Sequence, residues 1–100
     1  MALTVQVENE GGVREGEIWV HAESTRLFTM EHPGTSCLQF IDVYGDTVFN
    51  QLQIPMLLGE LRALEQRLPE PALKLALRGL IHFVEAAADQ VHTYVRFIGD

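Results

Sequence analysis

The chain has 100 residues, 47% of them hydrophobic and 21% charged, and fourteen acidic against seven basic side chains give a net charge of −7. That length holds one core and excludes a second, and the composition lies far from that of disordered chains. The acidic balance argues against nucleic acid, whose phosphates need clustered Lys and Arg, and against anionic membrane surfaces; it suits a basic partner.

The expectation is therefore a single domain over residues 1–100. Cys37 is the only cysteine, which excludes an internal disulfide and suggests a reducing compartment. The start, "MALTVQVENEGG", has no basic segment followed by a long apolar one, as a signal peptide would. No apolar run approaches the roughly eighteen residues of a membrane span. Together these point to a soluble cytoplasmic protein.

Residues 3–8 alternate apolar and polar, with Leu3, Val5 and Val7 on one face of a strand. "NEGG" supplies a turn. "EIWVHA", residues 17–22, predicts a second strand, with Ile18, Val20 and Ala22 on one side and Glu17, Trp19 and His21 on the other. In residues 23–34, Ser24 or Thr25 is placed to cap a short helix carrying Leu27, Phe28 and Met30. Alternation over "RLFTM" equally allows a strand; one or two helical turns are preferred, ending at His32 because Pro33 disfavours the helical conformation before it.

"CLQFIDV" and "TVFNQ" predict two strands joined at Tyr44-Gly45. Pro55 then opens a helix, and Leu57, Leu58, Leu61, Leu64 and Leu68 keep one apolar stripe along it. Pro69 ends that helix, and Pro71 starts a second over residues 70–88, in which Lys74, Arg78, His82, Glu85 and Asp89 form a narrow polar stripe. A helix this apolar is expected to be buried on two sides, against the sheet and against the first helix or a second subunit. Residues 91–99 form a last strand, with Val91, Thr93, Val95 and Phe97 on one face and His92, Tyr94, Arg96 and Ile98 on the other. The order predicts an α+β fold: a mainly antiparallel sheet of about five strands, two helices on one face, and the C-terminal strand completing the sheet.

The most motif-like stretch is "FIDVYGDTVFN", where Asp42 and Asp46 flank a glycine. A calcium loop fails: Tyr44 stands at its third position, the glycine comes one place early, and Gln53 occupies the twelfth. With Tyr44-Gly45 as a two-residue hairpin loop, Asp42 pairs with Thr47, Phe40 pairs with Phe49, and the two carboxylates fall on opposite faces. Gly45 would supply the positive φ of such a turn. Asp42, Gly45, Asp46 and Thr47 thus predict a structural turn.

None of the four histidines shares a helical face with another or forms a zinc spacing. His21 and His92 would meet if the first hairpin neighbours the last strand, making a polar face with Trp19, Tyr94 and Arg96. Cys37 has no activating base in sequence, and no phosphate-loop, dinucleotide, nucleophile-elbow or zinc-protease motif occurs. No catalytic residue, metal site or cofactor is expected. Trp19, Tyr94 and Ile98 on a sheet face away from the helices, with apolar surface to spare on the second helix, suggest contact with another chain.

The run "FIDVYGDTVFNQLQIPMLLGELRAL" and the closing "HTYVRFIGD" resemble a group of small uncharacterised bacterial proteins that share an I-D-x-Y-G-D-T-V-F-N-x-L-Q stretch. The resemblance spans about a third of the chain and implies a compact stand-alone bacterial protein, with no activity to carry over. The expected function is a non-catalytic protein–protein interaction, through self-association as a homodimer or as an inhibitor or immunity-type partner of a basic protein. The alternative is a small ligand-binding domain or enzyme using the face of Trp19, His21, His92, Tyr94 and Arg96.

Overall fold

The computed structural model describes residues 2–99; Met1 and Asp100, the ends of the expected domain, lie outside the described residues. Four strands, β1 (Leu3–Asn9), β2 (Arg14–Val20), β3 (Asp46–Phe49) and β4 (Thr93–Ile98), form one antiparallel sheet in the order β2-β1-β4-β3. Three helices accompany it: the single turn α1 (Arg26–Thr29), α2 (Ile54–Arg67) and α3 (Pro71–Ala88). The α+β antiparallel architecture agrees with the sequence, with four strands in place of about five and three helices in place of two.

The β1–β2 hairpin closes as the turn residues dictate. Asn9 Oδ1 accepts the backbone N–H groups of Gly11 and Val13 at 2.9 and 3.1 Å, and Gly12 takes φ 80°, which a glycine adopts without steric cost. β2 begins earlier than predicted because Arg14 pairs with Glu8, and a bulge between Val7 and Glu8 absorbs the extra residue. It also ends earlier, since Ala22–Ser24 coil into a 3₁₀ turn and leave Ala22 outside the sheet.

The predicted strand 37–43 does not form. Leu38–Phe40 is a 3₁₀ turn, and β3 pairs with β4 instead. The cause is the Glu60 carboxylate of α2, which accepts the backbone N–H groups of Ser36, Cys37 and Leu38 at 2.6, 2.9 and 3.0 Å. Donors committed to one carboxylate are withdrawn from a strand ladder. Phe40 is consequently 65% exposed, and the expected Phe40–Phe49 pair gives way to an edge-on contact of Phe49 with Phe97, centroids 5.8 Å apart.

The helices start and stop where the prolines place them. Asn50 Oδ1 accepts the N–H groups of Leu52 and Gln53 ahead of α2, Pro55 lies in its first turn, and Leu68 ends it before Pro69. Leu57, Leu61 and Leu64 of α2 and Leu77, Leu80 and Val84 of α3 are buried against Val5, Val95 and Phe97 of the sheet. α3 packs on β2 and β4 as well as on α2, and its polar stripe lies along the α2 seam, where Arg78 meets Glu65 at 3.3 Å and Glu85 pairs with Arg62. Leu75, 69% exposed, is left out of both contacts. No helix among the described residues is long and apolar enough to cross a membrane.

Residues 21–45 carry the chain from one edge strand to the other on the helix-covered side. Leu27 and Phe28 are buried there, and the Phe28 ring meets Phe97 edge-on at 5.8 Å. The preferred helical reading holds for Arg26–Thr29 alone, since Met30 already turns to extended geometry (ψ 158°). Past it, His32 is buried, its Nε2 2.6 Å from the Leu27 carbonyl.

The last strand is an inner strand, held between β1 and β3, and it is shorter than expected because His92 takes a left-handed φ of 54° just before it. At its far end the Gly99 N–H donates to the Gly45 carbonyl at 2.8 Å, and a Cβ on Gly99 would stand 2.3 Å from the Val43 carbonyl oxygen. Gly99→Ala should therefore lower stability by about 1–3 kcal/mol, because backbone must shift to admit the methyl. Gly59→Ala in α2, whose Cβ would meet nothing within 4 Å, should raise it by about 0.5–1 kcal/mol. Urea unfolding of the two variants checks the opposite signs.

Candidate functional site

The sheet face opposite the helices is assembled from alternate residues of all four strands. Register places Trp19, Thr4, Ile98 and Asp46 in one row across the sheet, and Glu17, Gln6, Arg96 and Val48 in the next. Glu8 and Tyr94 pair directly one row further on. Trp19 is 66% exposed and Val48 is exposed, with Tyr94 and Ile98 half-buried. The 21–45 segment leaves this face open, because its buried side chains enter the core on the other side.

Two charged clusters hold the face in place. Glu17 accepts from Gln6 Nε2 (3.0 Å), Arg14 (3.1 Å) and the Trp19 indole N–H (2.9 Å). These bonds hold the Glu17 carboxyl below its ordinary value, the Gln6 bond most strongly and the Trp19 bond next. On the other half, Arg96 donates to Glu8 at 3.0 Å and to Asp46 at 3.2 Å, tying β1, β4 and β3 together across the face. The Glu8 bond is the main cause of a guanidinium pKa raised still further. The charges on the face are spent on one another, which fixes the aromatic and aliphatic groups between them.

Of the residues expected to share a site, the structure brings Trp19, Tyr94 and Arg96 onto this face and leaves both histidines off it. His21 follows Val20, which pairs with Leu3, whereas His92 precedes Thr93, which pairs with Asn9. Those ends of β1 are six residues apart, about 20 Å at 3.3 Å per residue. His21 is exposed and extended, and His92 sits 3.4 Å from Glu10. The histidines do not converge, and no group of three or more metal-ligating side chains occurs among the described residues.

The Asp42–Asp46 segment is a turn but not a hairpin. Asp42 Oδ1 accepts the Tyr44 N–H at 2.8 Å, and the Asp42 N–H donates to Thr47 Oγ1 at 3.0 Å. Asp46 belongs to Arg96 on the open face, so the two carboxylates have separate partners. Gly45 does not take the expected positive φ; a Cβ there would meet Asp42 Oδ2 at 2.8 Å, so a side chain at this position would have to displace that carboxylate.

Sequence reasoning placed Glu17 beside Trp19 but missed Glu8 and Asp46 as the anchors of Arg96, because the order of the strands is invisible in the chain. It also missed Glu60, whose only sequence signal is a carboxylate on an otherwise apolar stretch of α2. Cys37 is buried, with its thiol pushed up by burial and then by the Glu60 charge, the reverse of an activated nucleophile. No family model matches the chain, and no curated protein or solved structure is significantly similar to it.

Two measurements follow from this geometry. The fold favours ionised Glu17, so its contribution is present above the ordinary value of 4.5 and is lost as pH falls through the lowered one. Trp19 fluorescence should titrate with a midpoint below 4.5, and Gln6→Ala should move that midpoint upward. Cys37 should resist a thiol reagent in the native protein and react at the rate of a free thiol once urea unfolds the chain.

Proposed function

We propose that this chain is a non-catalytic interaction protein and that the open sheet face carrying Trp19, Tyr94, Ile98 and Val48 is its contact surface. The observation that carries the reading is Trp19, a large aromatic side chain 66% exposed yet held by the Glu17 carboxylate at 2.9 Å. Aromatic side chains fixed before binding make effective interface anchors, since little conformational entropy remains to be lost. The face is ringed by charges already paired among themselves, so a partner can cover it without stranding an ion.

A net charge of −7 favours a basic protein over a second copy of the chain, and over nucleic acid or an anionic membrane. An inhibitor or immunity-type role toward a basic protein is the sharper form of this reading. The alternative, a ligand-binding domain or enzyme on the same face, has less support: its two histidines lie at opposite ends of the sheet, and Arg96 is committed to Glu8 and Asp46.

The test is affinity capture from the native cell at low and high salt, with wild type and Trp19→Ala in parallel. A basic protein retained by the wild type at low salt and lost with Trp19→Ala is the expected result; Trp19→Ala should melt within about 0.5 kcal/mol of wild type, as an exposed position does. Recovering no partner at either salt, with a strictly monomeric protein by light scattering, overturns the proposal.

A further inference from the structure

The outer edge of β2 is a second unpartnered surface, adjoining the open face at Trp19. β2 has no strand beyond it among the described residues, so alternate residues of Arg14–Val20 direct backbone N–H and C=O groups outward. α3 runs beside this edge. Ala76 and Gly79 of α3 line an apolar pocket of about 200 Å³ with Ile18, Val20 and Leu27, and Trp19 and exposed Leu75 also border it. Further along, Phe83 lies against Gly16, and Ala86 and Val7 border a smaller recess of about 130 Å³. A Cβ on Gly79 would meet nothing within 4 Å, so a side chain placed there projects into the groove and not into protein.

We propose that this edge and groove take an extended segment of a partner protein, alternating basic and apolar residues, which adds to β2 as a further strand. A free strand edge beside shallow apolar recesses provides what strand addition uses: main-chain hydrogen bonds for affinity and pockets for every second side chain. The larger recess is smaller than the roughly 300–1,000 Å³ of small-molecule sites and suits one apolar side chain. The remaining side chains of the segment emerge on the open face, beside Glu17.

Charge selects the occupant. Besides Glu17, which is already paired, β2 carries Glu15; Glu10 and Asp89 share a cleft with Glu15 at one end, and Glu23 follows at the other. The one basic residue of the strand, Arg14, is paired with Glu17 at 3.1 Å. A second copy would bring the same acidic edge and a further net charge of −7 against it, which like-charge repulsion disfavours. A basic segment meets the same edge favourably. The proposal rests on the basic partner of the interaction reading above and uses the strand edge that adjoins the open face, the two surfaces meeting at Trp19.

The experiment selects a displayed library of random peptides of about eight residues, a strand's length, against the full chain. Expected binders alternate basic and apolar residues, shift backbone amides of residues 14–20 in NMR spectra, and lose binding when alternate peptide amides are N-methylated. Gly79→Leu should weaken them by about tenfold or more while the protein still melts cooperatively. Because N-methylation acts on the peptide, the test holds even where that variant folds poorly. Failure to select binders, acidic binders, indifference to N-methylation, amide shifts confined to β3 or the open face, or a dimer that protects β2 would each overturn it. A partner captured by wild type and lost with Trp19→Ala, alongside any of those results, would leave the interaction reading standing and remove this one alone.

Discussion

The structure depends on the seating of β4 between β1 and β3. The strand formed last in sequence is hydrogen-bonded on both sides, and its inward residues Val95 and Phe97 are fully buried. Burying side chains of this size contributes about 1.5–3 kcal/mol each, and Phe97 also receives Phe28 and Phe49 edge-on. The sheet therefore cannot be completed until the helices have returned the chain to its centre. Gly99 is the steric condition for this arrangement, because the Val43 carbonyl occupies the place where any side chain would begin.

Around that strand, carboxylates organise the parts the sheet does not reach. Glu60 gathers three backbone donors and bends residues 36–40 away from extended geometry. Glu8 and Asp46 hold Arg96, and Glu17 holds Trp19. In an acidic chain, carboxylates thus supply local order. Each acts on donors near in space and mostly remote in sequence, which is why their work shows only after folding. On the open face these clusters leave apolar groups set between paired charges.

The helices were the most legible elements. Pro55, Pro69 and Pro71 mark their ends, and a leucine stripe with a narrow polar stripe marks their faces, since helical period and proline chemistry are local. Strands 3–8 and 91–99 were legible to within two residues for the same reason. The segment 37–43 misled because apolar residues read as a strand wherever they alternate, while Glu60, more than twenty positions away, decided where its donors went. Gly45 was expected to take a positive φ and does not; the Asp42 carboxylate is instead folded against it. For the candidate face, alternation alone placed Trp19, Tyr94 and Arg96 on one side of the sheet, whereas His21 and His92 follow and precede residues paired with opposite ends of β1.

By itself the sequence determined the α+β class, the two long helices and their buried faces, the turn chemistry of "NEGG", and the acidic character of the chain. All of these follow from composition or from periodicity within a few turns of chain. Only the tertiary structure decided the strand order, the commitment of Arg96 to Glu8 and Asp46, the separation of the histidines, and the free edge of β2 beside α3. Those depend on which distant segments meet, and hydrogen-bond donors and apolar faces carry no address for a partner until packing brings one within reach.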